Sequence, residues 1–178
     1  AQKGLAYVLL WQGDSKGSMD YFEGVNREFP NDPDILIGLG RARFSAGETE
    51  AAKEAFRLAL ELNPESVEAS QGLEAAFSQE LQVLFDEAER FSEAGDYERA
   101  KTIYEQILEE NPTNPDARLL IGHTRSRLKQ YDQAIQDFNE VLKLNPDHVD
   151  AHIGLGYTLA WSGNYAEAHA QFLKAVEL

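Results

Sequence analysis

The sequence predicts an all-α chain, an α-solenoid of antiparallel helix pairs, and three observations carry that prediction. Short phrases ending in proline recur 34 residues apart: Glu28-Phe29-Pro30 with Leu62-Asn63-Pro64, and Glu110-Asn111-Pro112 with Leu144-Asn145-Pro146. Proline lacks the amide hydrogen that an interior helical turn needs and pushes its predecessor out of the helical region, so each phrase ends a helix. Between the phrases comes a glycine followed by a polar residue, at Gly13-Asp14, Gly47-Glu48, Gly95-Asp96 and Gly163-Asn164, with Lys129-Gln130 in the same slot. Glycine there closes one helix and the polar residue can cap the next. The third observation is a small residue followed four positions later by a ring: Ala52 and Phe56, Ala100 and Tyr104, Ala134 and Phe138, Ala168 and Phe172. Together with small residues at Ala6, Gly40, Ala88, Gly122 and Gly156, these rings fit ridges-into-grooves packing of neighbouring helices.

From the N-terminus, the first helix pair turns at Gly13-Asp14 and ends at Pro30. Ser15 and Ser18 replace the aromatic and the alanine of later repeats, with Phe22 in the ring slot, so this pair is expected to pack more loosely. The second pair turns at Gly47-Glu48 and ends at Pro64. The interval from Pro64 to Pro112 is 48 residues, one period plus 14. Leu73, Phe77, Leu81, Leu84, Ala88 and Phe91 follow one another three or four residues apart with no proline between them. That spacing predicts a single helix from about Ser66 to Phe91, roughly 40 Å long at 1.5 Å per residue. The alternative is a bent or broken pair of ordinary helices. A single helix would close the first set of repeats with its front half and open the second set with its back half, redirecting the superhelix.

Three further pairs turn at Gly95-Asp96, Lys129-Gln130 and Gly163-Asn164. The expected organisation is therefore two units plus a closing helix over 1–79 and three units over 80–178, one continuous solenoid with an unpaired or fused long helix near 66–92. The register opens inside a first helix and stops where the next Asn-Pro phrase is due, so the array is expected to continue beyond it.

The repeating phrases resemble the tetratricopeptide repeats, whose 34-residue helix-turn-helix unit carries small residues, aromatics and a terminal proline in this order. Leu155, Gly156, Leu159, Gly163, Tyr165, Ala168, Phe172 and Ala175 stand in the family's slots, and the resemblance spans almost the whole chain. It implies a non-enzymatic scaffold whose first helices line a concave groove for protein or peptide partners. The matching groove positions are Tyr7, Trp11, Ile37, Arg41 and Phe44 in the earlier units, with Leu10 beside them. In the later units they are Phe85, Glu89, His123, Arg127, Tyr157 and Trp161, with Leu119 and Ile153. Exposed aromatic surface in a groove suits an extended peptide, a partner helix or a sugar face. The alternative is that Trp11 and Trp161 pack on the next unit as core. The family's carboxylate clamp for acidic tails needs lysine, asparagine and arginine, whereas this chain offers Lys3, Tyr7, Arg41, Glu89 and His123, so no clamp is expected. Leu9 to Asp14 and Leu159 to Asn164 also resemble bacterial repeats of exopolysaccharide export. That likeness implies a periplasmic scaffold or saccharide-handling module as the alternative function.

Composition narrows the chemistry. The 178 residues carry a net charge of −15, divided almost evenly between the two halves, and this repels a phosphate backbone. No nucleic-acid partner is expected. There is no cysteine, hence no disulfide, thiolate metal site or cysteine nucleophile. The longest apolar stretch, Leu5 to Trp11, falls far short of the roughly 20 residues a membrane-spanning helix needs. Single glycines at repeat slots form no phosphate loop, and no nucleophile constellation is present, so neither a catalytic residue nor a cofactor is expected.

His148 and His152, beside Asp147 and Asp150, have the spacing of helical metal ligands, but His152 also occupies a bulky core slot, and packing is the favoured reading. Acidic side chains from Asp86 to Glu110 read as a solvated face, with a cation-binding or basic-partner surface as the alternative. Arg118, Arg125, Arg127 and Lys129 form the one basic cluster, expected to pair with that acidic unit, the alternative being a small contact site for an acidic partner. Self-association remains open from sequence.

Overall fold

The computed structural model describes residues 2–178, with side chains from Gly4 onward, so the side chain of Lys3 lies outside the described residues. Among them the chain is all-α: α1 (Gln2–Trp11), α2 (Ser15–Glu28), α3 (Pro33–Ser45), α4 (Thr49–Leu62), α5 (Val67–Glu93), α6 (Tyr97–Glu110), α7 (Pro115–Arg127), α8 (Tyr131–Leu144), α9 (Val149–Trp161) and α10 (Tyr165–Glu177). The helices pack in sequence as pairs and fall into two compact units, residues 1–81 and 82–178.

Each pair turns by the same device. The residue closing the first helix takes a left-handed conformation, with φ of 83° at Gly13, 81° at Gly47, 79° at Gly95, 92° at Gly163 and 61° at Lys129. The next residue's N–H then reaches back to a carbonyl five residues earlier, from Asp14 to Leu9 and from Gln130 to Arg125, each at 2.9 Å. This satisfies a carbonyl that the helix end leaves without a partner. The expected side-chain caps form only in part. Asp14 accepts from Gly17 N–H at 2.9 Å and Asp96 from Arg99 N–H at 3.3 Å. Glu48, Gln130 and Asn164 make no such bond. Glu and Gln carry an extra methylene, and the Asn164 amide donates to Ser162 instead.

In the unit of residues 1–81 the rings settle against glycine. Phe22 and Phe56 are fully buried, and a Cβ built on Gly38 would stand 2.2 Å from the Phe22 ring. Phe56 lies against both Gly40 and Gly72. The first pair is closed rather than loose. Ser18 is buried and its hydroxyl donates to the Ala6 carbonyl at 2.9 Å, so the serine fits the alanine slot without leaving a polar group unpaired.

Helix α5 is continuous over 27 residues. Its front half packs Ala69 and Leu73 on the Phe56 cluster of α4. Lys53, only 5% exposed, donates to Glu80 at 2.6 Å, pairs with Glu50, and stands 4.9 Å from the Phe77 ring. Glu74 occupies the slot held elsewhere by Gly40, Gly122 and Gly156, where the ring of a second helix lands. No ring of a second helix lands on Glu74, and α5 continues instead.

In the unit of residues 82–178 the small-to-large register resumes with buried Ala88 and Tyr104. Phe138 is fully buried and packs with Leu155 and Leu159, against Gly122 and Gly154.

Candidate functional site

The first helices of the unit of residues 82–178 offer one side chain from each of two successive turns, because residues four apart share a helix face. On α9 these are Tyr157 and Trp161, 52% and 47% exposed. Their rings stack with centroids 5.9 Å apart and planes at 28°. Tyr157 also meets the edge of Phe172 at 5.1 Å, so a core ring fixes the inner edge of the platform. Packing of this kind is worth about 0.5–1.5 kcal/mol per aromatic pair.

On α7 the same slots hold His123 and Arg127. The His123 ring stands edge-on to Phe138 at 5.0 Å, and the Arg127 guanidinium lies 5.5 Å from the Trp161 centroid. Loss of water around the His123 ring pushes its pKa below the ordinary imidazole value; Asp150 opposes this and Arg127 adds to it. The back half of α5 places Phe85 6.2 Å from Tyr104, with Glu89 exposed in the slot equivalent to His123.

Between Glu89 and Glu93 on one side and His123 and Arg127 on the other is a hollow of 330 Å³, bounded also by Tyr97 and Tyr104. Glu93, Tyr97 and Tyr104 were not among the expected groove residues. The signals were present in the 34-residue register: Glu93 shares its slot with Arg127 and Trp161, and Tyr97 recurs as Tyr131 and Tyr165.

The corresponding face of the unit of residues 1–81 is built differently. Tyr7 packs edge-on against Phe22 at 5.0 Å, and its hydroxyl donates to the Asp34 carbonyl at 3.5 Å. Trp11 is 80% exposed, tilted against Tyr7 at 6.3 Å. Arg41 is exposed and Phe44 half-buried. Ile37 departs from the expected placement: it is 6% exposed, packed with Leu36, Ala52 and Phe56, so it supports the face from within rather than contacting a ligand.

Arg118, Arg125, His148 and His152, also singled out by the sequence, have structural partners. Arg125 donates to Asp137 at 2.7 Å and to Glu105 of α6 at 2.9 Å, and Arg118 donates to the Pro112 carbonyl at 2.7 Å. Burial pushes the Asp137 carboxyl above its ordinary value while both arginines pull it back. His148 caps α9, with Nδ1 accepting from Ala151 N–H at 3.4 Å. His152 is buried, its Nε2–H donating to the Pro146 carbonyl at 2.9 Å and its Nδ1 paired with the Gln171 amide at 2.7 Å. The two rings are thus engaged in local packing. Among the described residues no helix is long and apolar enough to cross a membrane.

No curated protein matches the chain. Among solved structures, the tetratricopeptide repeat domain of P58(IPK) superposes with a TM-score of 0.55 at 19% identity, over 99% of this chain and 50% of that one, and has the same fold. MamA from Desulfovibrio magneticus RS-1 aligns with a TM-score of 0.47 at 21% identity, over 99% of this chain and 92% of that one. YrrB, a TPR protein with an unusual peptide-binding site, aligns with a TM-score of 0.47 at 18% identity, over 99% and 84%. The family model for the tetratricopeptide repeat matches residues 3–77, 91–136 and 125–177, and the stretch it leaves out, 78–90, lies inside α5. With most of its residues matched and its ring, glycine and turn slots filled, the chain belongs to the tetratricopeptide repeat family, whose members generally serve as protein-interaction scaffolds rather than enzymes.

Proposed function

We propose that the chain is a non-enzymatic scaffold that holds an extended segment of a partner protein on the first-helix face of residues 82–178, and so brings that partner into a larger assembly. The observation that carries this reading is the Tyr157–Trp161 platform, half-exposed yet already fixed by Phe172 and Arg127. Aromatic side chains ordered before binding give contact area at little entropic cost, which is why such residues dominate binding energy at interfaces. A mobile, isolated ring would lose part of that energy to ordering.

The test is selection of binders from a displayed library of random peptides. Binders are expected to lose about tenfold or more in affinity for Tyr157→Ala and for Trp161→Ala, with circular dichroism checking that both variants fold. Binders that hold both folded variants as tightly as the wild type would refute the assignment of this face.

A saccharide is the second ligand class the platform suits, because a sugar's C–H face packs on an aromatic ring. Titrating Trp161 fluorescence with polysaccharide fragments tests it, and an unchanged signal removes that reading.

A further inference from the structure

We propose that the chain associates head to tail with a second copy of itself, the α1 face of one molecule docking on the α9–α10 face of the next so that the Phe172 ring of one seats on Gly4 of the other. This goes beyond the reading of the aromatic platform as a partner-binding surface and does not depend on it.

Within each unit a ring of a second helix is held from two sides. Phe56 lies between Gly40 of its own pair and Gly72 of the following first helix, and Phe138 lies between Gly122 and Gly154 in the same way. Helices α10 and α1 each carry one half of that arrangement. Phe172 rests on Gly156 of its own pair, where a Cβ would stand 2.7 Å from the ring, yet it is only half-buried, whereas Phe22, Phe56 and Phe138 are fully buried. Gly4 stands 34 residues before Gly38, in the slot that Gly72 and Gly154 also fill, but among the described residues nothing stands within 4 Å of a Cβ built on it. Glycine inside a helix is costlier than alanine and is of use where another group approaches closely. Gly4 has that opening without the ring.

The residues around the two halves follow the same pattern. Leu5 and Val8 are exposed, whereas Leu39 and Leu155 in the Leu5 slot, and Ala42 and Thr158 in the Val8 slot, are buried. Val176 is 84% exposed, whereas Leu60 and Leu142 in its slot pack on the core. Stacking a further unit removes such apolar surface from water.

A second copy of α1 supplies that unit slot by slot. Gly4 reaches Phe172 as Gly154 reaches Phe138, and Val8 reaches Ala160 where Thr158 meets Ser126 inside the chain. The internal pair is a hydrogen bond between two hydroxyls and the end pair is apolar on both sides, so neither end leaves a polar group unpaired. Two copies meeting by like ends would set ring against ring or glycine against glycine. The contact is therefore heterologous, and each added copy presents the same pair of ends again.

Sedimentation velocity over a concentration series tests this. The mass of the wild type should rise about twofold or more with concentration. Gly4→Leu has room for its side chain within one molecule, so it should keep its circular dichroism spectrum, yet it fills the seat of Phe172 and should stay a single chain. Val176→Glu, at an exposed position, should fold and also stay single, because docking would bury an unpaired carboxylate. Gly4→Leu retains a working α10 end and Val176→Glu a working α1 end, so mixing the two should give a one-to-one dimer that grows no further. A wild type that remains a single chain throughout overturns the proposal, as does a folded Gly4→Leu that associates like the wild type. Two single-chain variants that fail to pair on mixing overturn the head-to-tail geometry.

Discussion

Trp11 and Trp161 occupy the same position of their repeats, yet their surroundings differ. Trp161 lies under the Arg127 guanidinium and beside Tyr157 in a near-parallel stack. Among the described residues, Trp11 meets the tilted ring of Tyr7, and it is 80% exposed. The slot therefore sets which face a side chain is on, while the adjoining repeat sets whether it is held there. Arg127 is the residue one period before Trp161. The Tyr157–Trp161 pair is consequently held on two sides, whereas Trp11 stands largely in solvent.

The largest effect that would sharpen this contrast comes from the glycines behind the faces. Gly154→Ala places a methyl 2.5 Å from the Phe138 ring and 2.8 Å from His123. The buried ring cannot swing clear, so the substitution should cost about 1–3 kcal/mol despite the roughly 1 kcal/mol that alanine gains in a helix. Gly38→Ala should cost a similar amount through Phe22. The two differ in reach: only Gly154→Ala should move the His123 imidazole resonances. Urea unfolding and proton NMR check both parts, and a silent His123 would detach the face from the core ring behind it.

A smaller effect separates the turns. Lys129 bears a left-handed backbone that Gly13 and Gly47 adopt freely. Lys129→Gly should raise stability by about 1 kcal/mol, and Gly47→Lys should lower it by about as much, both read from thermal melts. If Lys129→Gly destabilises, the lysine side chain has a role that its backbone conformation does not reveal.

The smallest effect is pH dependence. The folded pKa of His123 is lowered, so the folded chain binds fewer protons than the unfolded chain once pH falls below the unfolded value. The contribution is full above about pH 6.5 and is lost as pH falls through that value toward the lowered one. His123→Gln should flatten this part of the stability profile. The equivalent slots hold Tyr7 and Arg41 rather than histidine, so this dependence is assigned to residues 82–178.

Much of the fold was legible because it depends on residue types that have few substitutes. Proline at repeat ends, glycine at left-handed turns and a ring four residues after alanine each leave a mark in the sequence, and the long α5 showed itself by the missing proline. The caps were less legible, because Asp, Glu, Gln and Asn look alike as polar turn residues while only the short Asp14 and Asp96 reach a backbone N–H. Ser18 misled in the same way: its hydroxyl finds the Ala6 carbonyl, a distance no sequence pattern encodes. For the candidate site, the register placed Tyr157, Trp161, His123 and Arg127 on neighbouring helices. It could not give the tilt of each ring or the inward turn of Ile37.

The central claim is that the prepared platform, not its exposed counterpart, receives the ligand. Two single-tryptophan proteins test it most directly, Trp11→Phe reporting on Trp161 and Trp161→Phe reporting on Trp11, each titrated with a peptide selected on the wild type. The account predicts a saturable change in Trp161 emission that Tyr157→Ala abolishes, with Trp11 emission unchanged in its own protein. A saturable response from Trp11 with a silent Trp161 would contradict it.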